Sequence, residues 1–133
     1  MSEIKIYSFD KCPFAQRTRM VLIEKNLPFE LIEIDVYNKP DWFASVSPYG
    51  KVPVLSHEGH TIYESAIINE YLDERFPETP LMPTDHFERA NARIWIDYCS
   101  NHYLPACTRL MRDRNDPEKQ KKNHQNIKEK LMF

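Results

Sequence analysis

The opening of the chain constrains its fold more strongly than any other part. Apolar and polar residues alternate between Ile4 and Phe9, which predicts a β-strand. Cys12 follows after a short turn, and Pro13 then begins a helix-forming segment. Proline suits the first position of a helix, because its missing N–H would have no intrahelical partner there. We therefore expect a strand, a tight turn and a helix, with Cys12 at the N-terminus of the helix.

A thiol at this place has a chemical consequence. The free N–H groups and the dipole of a helix N-terminus favour an anion, and so favour thiolate over thiol. Arg17 and Arg19 follow within the next turns and add positive potential. The sequence C-P-F-A lacks a second cysteine at the usual redox spacing, so an internal disulfide is not expected here. We interpret Cys12 as a reactive thiol; the alternative is a buried, inert cysteine.

Composition excludes several classes of function. The net charge of -2 attracts neither nucleic acid nor an anionic membrane surface. Only two glycines are present, which argues against glycine-rich phosphate loops, and no apolar run approaches the ~20 residues that span a bilayer. Three cysteines without an export signal predict reduced thiols and a cytoplasmic location.

The pattern after the first helix predicts a small mixed sheet. Residues 29–35 indicate a second strand, parallel to the first, and residues 40–45 a short helix. Residues 52–63 indicate a hairpin with its turn at 57–60, and residues 64–76 a second long helix. The predicted class is α/β, with a four-stranded mixed sheet and helices packed on it.

The remainder of the chain is predicted to be helical. A proline-rich stretch at 77–83 marks a boundary. Helices are expected from Phe87 to about Tyr103, with an interruption or kink at Pro105, and from Pro117 to Leu131. We expect a domain at 1–78, a linker at 79–86 and a partial helical domain at 87–133.

Four stretches carry a resemblance to a known family. They are C-P-F-A-Q-R-T-R from Cys12, N-K-P-D-W-F from Asn38, S-P-Y-G-K-V-P-V-L from Ser47 and Y-E-S-A-I-I-N-E-Y-L-D-E from Tyr63. In this order the chain resembles the thioredoxin-like domain of glutathione transferases, most closely the cysteine-dependent omega type. The resemblance implies a thioredoxin-like fold over about the first 80 residues, followed by a shortened version of that family's all-helical second domain.

The resemblance also implies a glutathione site. Cys12 is expected opposite the sulfur of glutathione, and the remaining contacts are expected from Phe14, Lys39, Val52 with Pro53, Glu64 and Ser65. Because an X–Pro bond is the one type that readily adopts the cis form, we expect Val52–Pro53 to be cis. The Val52 backbone would then pair with the tripeptide as an added strand does.

The implied activity is that of a glutathione-dependent thiol transferase or reductase, with glutathione as cosubstrate. The second substrate would be a small disulfide or an electrophile, and the protein is expected to be a homodimer. The stretch from Glu70 to Pro83 is also similar to bacterial stringent starvation proteins, which share the fold and bind RNA polymerase. A non-catalytic factor of that kind is the alternative, although those proteins generally lack a cysteine at the position of Cys12.

Two further patterns are given structural interpretations. Cys99, His102 and Cys107 lack a fourth ligand and a second close cysteine pair, so we expect packing in a helical core and no metal site. The lysines between 119 and 130 alternate with Glu118 and Glu129 and have no aromatic neighbours, which indicates a solvated helix face.

Overall fold

A computed structural model describes residues 3–132 of the chain. The chain forms two compact units, the first ending at Met82 and the second beginning at Pro83. The elements of the first unit are β1 (Ile4–Ser8), α1 (Pro13–Glu24), β2 (Glu30–Glu33), α2 (Phe43–Val46), β3 (Val54–His57), β4 (His60–Tyr63) and α3 (Ser65–Arg75). The predicted order of strands and helices is confirmed, and the bounds differ by a few residues at most elements.

The four strands form one mixed sheet in the order β2-β1-β3-β4. Strand β1 pairs in parallel with β2 and antiparallel with β3, and β3 and β4 form the antiparallel hairpin. The predicted α/β class and thioredoxin-like arrangement are therefore confirmed. In the register, Val54 lies opposite both Tyr7 and Tyr63, so the end of β1, the start of β3 and the end of β4 lie at one edge of the sheet.

Apolar side chains close both faces of this sheet. On one face, Ile6 of β1 and Leu55 of β3 pack with residues of α1 and α3, including Leu22 and Ile68. On the other face, the side chain of Phe43 in α2 packs against a second cluster of buried side chains, among them Ala15, Ile34, Val52 and Val54. Burying one such aliphatic or aromatic side chain contributes roughly 1.5–3 kcal/mol, so these two layers dominate the stability of the first unit.

The segment after α3 is tied to the first unit by a buried lysine. The Lys25 Nζ lies 2.8 Å from an Asp73 carboxylate oxygen, and it donates to the carbonyls of Phe76 at 2.9 Å and Thr79 at 2.8 Å. The Asp73 carboxylate in turn accepts the backbone N–H groups of residues 81–82. The proline-rich stretch is thus held in place as far as Met82.

The second unit consists of helices α4 (His86–Tyr98), α5 (Leu104–Arg112) and α6 (Pro117–Leu131). A single wide π-turn, Cys99–Tyr103, joins α4 to α5. Pro105 has no N–H with which to continue an α-helical ladder, and the chain widens before it, where the Leu104 N–H donates to the Cys99 carbonyl. The predicted interruption near Pro105 takes this form, and the predicted bounds of α6 are confirmed.

Polar contacts join the helices of the second unit. The Asn123 Nδ2 donates to the Arg109 carbonyl and to the Asp113 carboxylate, both at 3.1 Å. The Gln120 Nε2 donates to the Leu110 carbonyl at 3.0 Å, and the Tyr98 hydroxyl donates to the Lys130 carbonyl at 2.7 Å. Side-chain hydrogen bonds to backbone carbonyls therefore fix α6 against α5 and against the end of α4.

Candidate functional site

Cys12 caps the N-terminus of α1. Its backbone is extended, Pro13 follows as the first helical residue, and its Sγ accepts the Ala15 N–H at 3.4 Å. The Cys12 Sγ also lies 4.0 Å from the Val52 carbonyl oxygen, to which its S–H can donate weakly. The predicted strand, turn and helix are confirmed, and the sulfur lies where the helix presents N–H groups and the positive end of its dipole.

The Val52–Pro53 peptide bond is cis, as predicted. The turn that precedes it is closed by a buried serine. The Ser47 Oγ donates to the Lys51 carbonyl at 2.8 Å and accepts the Lys51 N–H at 2.9 Å, and the Gly50 N–H donates to the Ser47 carbonyl at 3.0 Å. These bonds fix residues 47–51, and so fix the backbone that leads into Val52.

Lys39 lies beside this same turn. Its Nζ is 3.4 Å from the position that a Cβ on Gly50 would occupy, and Gly50 has a φ of +65°. Glycine is suited to this position on two grounds, since it adopts positive φ without strain and leaves room for the ammonium group. The structure therefore brings Lys39 to the turn that leads into Val52.

Glu64 and Ser65 stand between β4 and α3. Glu64 has a φ of +73°, which is unusual for a residue with a side chain and costs of order 1–3 kcal/mol. Glu64 is the N-cap residue of α3, but its side chain makes no capping hydrogen bond to the helix. Ser65 is buried and is the first residue of α3, where the N–H groups of the first turn have no intrahelical acceptors.

Topology explains why these residues meet. Cys12 follows the end of β1, Val52 and Pro53 precede β3, and Glu64 follows β4. The register places these three strand ends at one edge of the sheet. This edge therefore gathers a thiol at one helix N-terminus and a second helix N-terminus at Ser65, an arrangement suited to a peptide-like anion that carries sulfur.

Phe14 and Arg19, which follow Cys12 on α1, make different kinds of contact. Phe14 is partly buried, and the Arg17 guanidinium lies 5.9 Å from the centre of its ring. The sequence predicts no more of Arg19 than added positive potential near Cys12. In the structure its guanidinium donates to the carbonyls of Phe9 and Asp10, at 3.1 Å and 3.4 Å.

The cysteines of the second unit lie on either side of a tyrosine in the chain. Among residues 3–132 no group of three metal-binding side chains comes together. Cys99 and Cys107 are free and partly buried, and their sulfurs lie near the Tyr103 side chain. The neighbouring Cys107, followed by burial and then Cys99, raises the pKa of Tyr103 above its usual value.

Sequence reasoning missed two residues that shape the site. Ser47 and Gly50 belong to one of the family motifs. Their presence in that motif does not by itself predict the hydrogen bonds with which they close the turn before Val52. The signal is present in S-P-Y-G, because serine, proline and glycine within four residues are typical of a tight turn.

Comparison with known families and structures agrees with this geometry. Residues 6–80 match the family model described as "Glutathione S-transferase, N-terminal domain". No helix within residues 3–132 is both long and apolar enough to cross a bilayer.

Several individual proteins are similar over most of the chain. Rat glutathione S-transferase omega-1 is 44% identical over 131 residues, which cover 97% of this chain and 52% of the relative. A probable glutathione transferase of Aplysia californica is 43% identical over 89 residues, which cover 67% of this chain and 97% of the relative. The chain thus spans about half the length of the omega relatives that it matches.

Solved structures show the same likeness. Omega 3C glutathione transferase from Trametes versicolor superposes with a TM-score of 0.81 at 34% identity, covering 97% of this chain and 59% of that one. A rice glutathione transferase, solved in complex with glutathione, superposes with a TM-score of 0.86 at 36% identity, covering 98% and 60%.

Proposed function

The chain belongs to the glutathione S-transferase family, and we propose that it is a glutathione-dependent thiol transferase or reductase of the omega type, acting through Cys12. The observation that carries this proposal is the position of the Cys12 Sγ. It accepts an N–H at a helix N-terminus and lies 4.0 Å from the Val52 carbonyl, beside the backbone proposed to bind the tripeptide. The omega relatives support this reading over a non-catalytic starvation-type factor.

We assign the backbone of Val52 to the peptide groups of glutathione. Its N–H and C=O would pair with the tripeptide as an extra strand pairs with a sheet. The turn closed by Ser47 holds that backbone, which lowers the entropy lost on binding. The Lys39 ammonium, which lies close to Gly50, would meet the glycyl carboxylate.

The glutamyl end is assigned to α3. The Ser65 hydroxyl and the N–H groups of the first helical turn would hold its carboxylate. The Glu64 side chain, which makes no capping bond, would face the ammonium group of the ligand. Phe14 is assigned a packing contact near the sulfur, because it follows Cys12 by two residues and is partly buried.

The proposed reaction runs through a mixed disulfide. The Cys12 thiolate attacks the glutathione sulfur of a mixed disulfide, the S–S bond breaks and the substrate thiolate leaves. A second glutathione thiolate then attacks the glutathione sulfur bound to Cys12, which releases oxidised glutathione and restores the Cys12 thiolate. The Ala15 N–H at the start of α1 faces the sulfur that attacks in the first step and leaves in the second.

The remaining parts of the proposal concern context. The second substrate would be a small disulfide or an electrophile, the compartment the cytoplasm and the assembly a homodimer. We retain the division into a glutathione-binding domain at 1–78, a linker at 79–86 and a helical region at 87–133. Sedimentation at micromolar concentration tests the assembly, and a monomer that binds no hydrophobic dye would contradict it.

A pair of cysteine variants tests the catalytic role. Cys12→Ser should abolish disulfide reduction with glutathione and should fail to form a glutathione adduct detectable by intact mass. Cys107→Ser, the matched control, should keep both, since Cys107 lies in the second unit. Full turnover in Cys12→Ser, or no adduct on the wild-type protein, would refute the proposed function.

A further inference from the structure

An arginine supports the turn that carries Cys12. Arg19 lies on α1, two turns after the cysteine, and its guanidinium points back towards the end of β1. It donates to the Phe9 carbonyl at 3.1 Å, to the Asp10 carbonyl at 3.4 Å and to the Ser8 hydroxyl. One side chain thus contacts the last residue of β1 and the two residues that follow it.

The Phe9 carbonyl connects this arginine to the cysteine. The same oxygen that accepts from Arg19 also accepts the Cys12 N–H, at 3.0 Å. The backbone amide of Cys12 is therefore fixed by an acceptor that the guanidinium itself holds. A shift of that carbonyl would move Cys12 with it.

The other end of this contact is rigid. Ser8 is fully buried, and its carbonyl accepts the Ile34 N–H at 2.7 Å, so it cannot move without disturbing the sheet. The Glu33 carboxylate accepts the Asp10 N–H at 3.0 Å and holds the turn from the opposite side. Arg19 therefore joins the buried end of β1, which is hydrogen-bonded within the sheet, to the turn that presents the thiol.

The shape of the guanidinium matters as much as its charge. Its planar fork reaches three oxygen atoms at once, whereas the single nitrogen of lysine would satisfy fewer of them at these angles. Loss of the fork would leave the Phe9 carbonyl with the Cys12 N–H but without its charged partner, and would remove the link from Ser8 to the turn.

We propose that Arg19 is a positioning residue for Cys12, which holds the Ser8–Asp10 turn so that the thiol stays at the N-terminus of α1. The inference deepens the proposed function, and rests on it only where turnover is concerned. Misplacement of a reacting group by about 1 Å can cost up to about a hundredfold in rate. We expect a loss of about tenfold here, because Pro13 and Ala15 still hold the helix start.

The test measures iodoacetamide labelling of each cysteine by peptide mass spectrometry, without glutathione. Arg19→Met should label Cys12 about tenfold more slowly than the wild type, while Cys107 labels at an unchanged rate. Arg19→Lys should fall between the two at Cys12. Arg75→Met is the control, since Arg75 pairs with Glu58 on the surface of the same unit and should leave Cys12 labelling unchanged.

The outcomes separate this inference from the proposed function. A wild-type rate at Cys12 in folded Arg19→Met, accompanied only by a lower melting temperature, would show a merely structural role and overturn the inference. If Arg19→Met does not fold, an unchanged Cys12 rate in Arg19→Lys overturns it instead. Retained turnover in Cys12→Ser would refute the proposed function, whereas the labelling rates would still decide the role of Arg19.

Discussion

The two compact units differ in how their apolar side chains are covered. In the first unit, Ile6, Leu55 and Ile68 are completely shielded from solvent between the sheet and its helices. Among the described residues of the second unit, the buried apolar side chains are those of Leu104 and Ala106. Helix α4 has no buried residue at all, although its apolar residues recur at helical spacing.

Exposure on α4 is extensive. Phe87 is 80% exposed, Ile94 62% and Trp95 52%. The second unit relies on polar bonds such as those of Asn123, each with a net contribution of about 0.5–1.5 kcal/mol. An apolar face of this kind usually marks an interface, which agrees with the proposed homodimer. Apolar residues at helical spacing are therefore buried in the core in α3 but exposed to solvent in α4, so this spacing alone does not tell whether a helix face is buried.

The largest expected effect comes from a matched pair of isoleucines. Ile68→Ala removes a fully buried side chain and should lower the free energy of unfolding by about 2–5 kcal/mol. Ile94→Ala truncates the same side chain on α4 and, at protein concentrations low enough to keep the chain monomeric, should change the free energy of unfolding by less than about 0.5 kcal/mol. Urea unfolding followed by circular dichroism measures both. Equal losses would show that the face of α4 is covered in solution, and would break the comparison.

The next effect concerns the buried lysine of the first unit. Lys25→Met removes the partner of Asp73 and of two backbone carbonyls, so it should cost about 2–3 kcal/mol. Lys121→Met on the exposed surface of α6 is the control and should change stability by less than about 0.5 kcal/mol. The same unfolding experiment measures both variants, and a neutral Lys25→Met would show that the contacts of this lysine add nothing to the stability of the segment.

The smallest expected effect is a loss of stability at low pH, to which one aspartate in each unit contributes. Burial raises the pKa of Asp73, but hydrogen bonds from Lys25 and from the amides of Leu81 and Met82 outweigh it, and the pKa lies below its usual value. Hydrogen bonds from Arg112 and then Asn123 lower the pKa of Asp113 to about 2.

Both carboxyls therefore contribute stability above their unfolded pKa of about 4, and this contribution is lost as the pH falls through the folded value. Free energies of unfolding between about pH 5 and pH 2 should fall less steeply for Asp73→Asn, and likewise for Asp113→Asn, than for the wild type. A slope in either variant equal to that of the wild type would contradict the assignment for that residue.

Local signals account for the features that the sequence predicts correctly. The alternation after Ile4, the Cys12–Pro13 helix start and the strands of the hairpin are short-range patterns, and they are enough to predict the first unit and the position of the thiol. The cis form of Val52–Pro53 follows from the motif that contains it. In the second unit, Asp116 and Pro117 signal the start of α6.

Long-range contacts account for the features that the sequence does not predict. Lys25 and Asp73 lie 48 positions apart (73 minus 25), and nothing local indicates that a lysine and an aspartate will pair in the interior. The hydrogen bonds of Arg19 depend on where the end of β1 turns, which the helix pattern does not contain. Pro105 predicts that the helix is interrupted, but local propensity does not tell whether the chain forms a break or the π-turn that is observed before Pro105.

The contacts of Lys25 also bear on what the end of the first unit needs from the second. The carbonyl of Thr79 and the N–H groups of Leu81 and Met82 are all held by residues of the first unit. The last secured peptide before Pro83 therefore needs no support from the helices of the second unit. Replacement of the helical region at Met82–Pro83 would therefore leave each of these hydrogen bonds within the first unit in place.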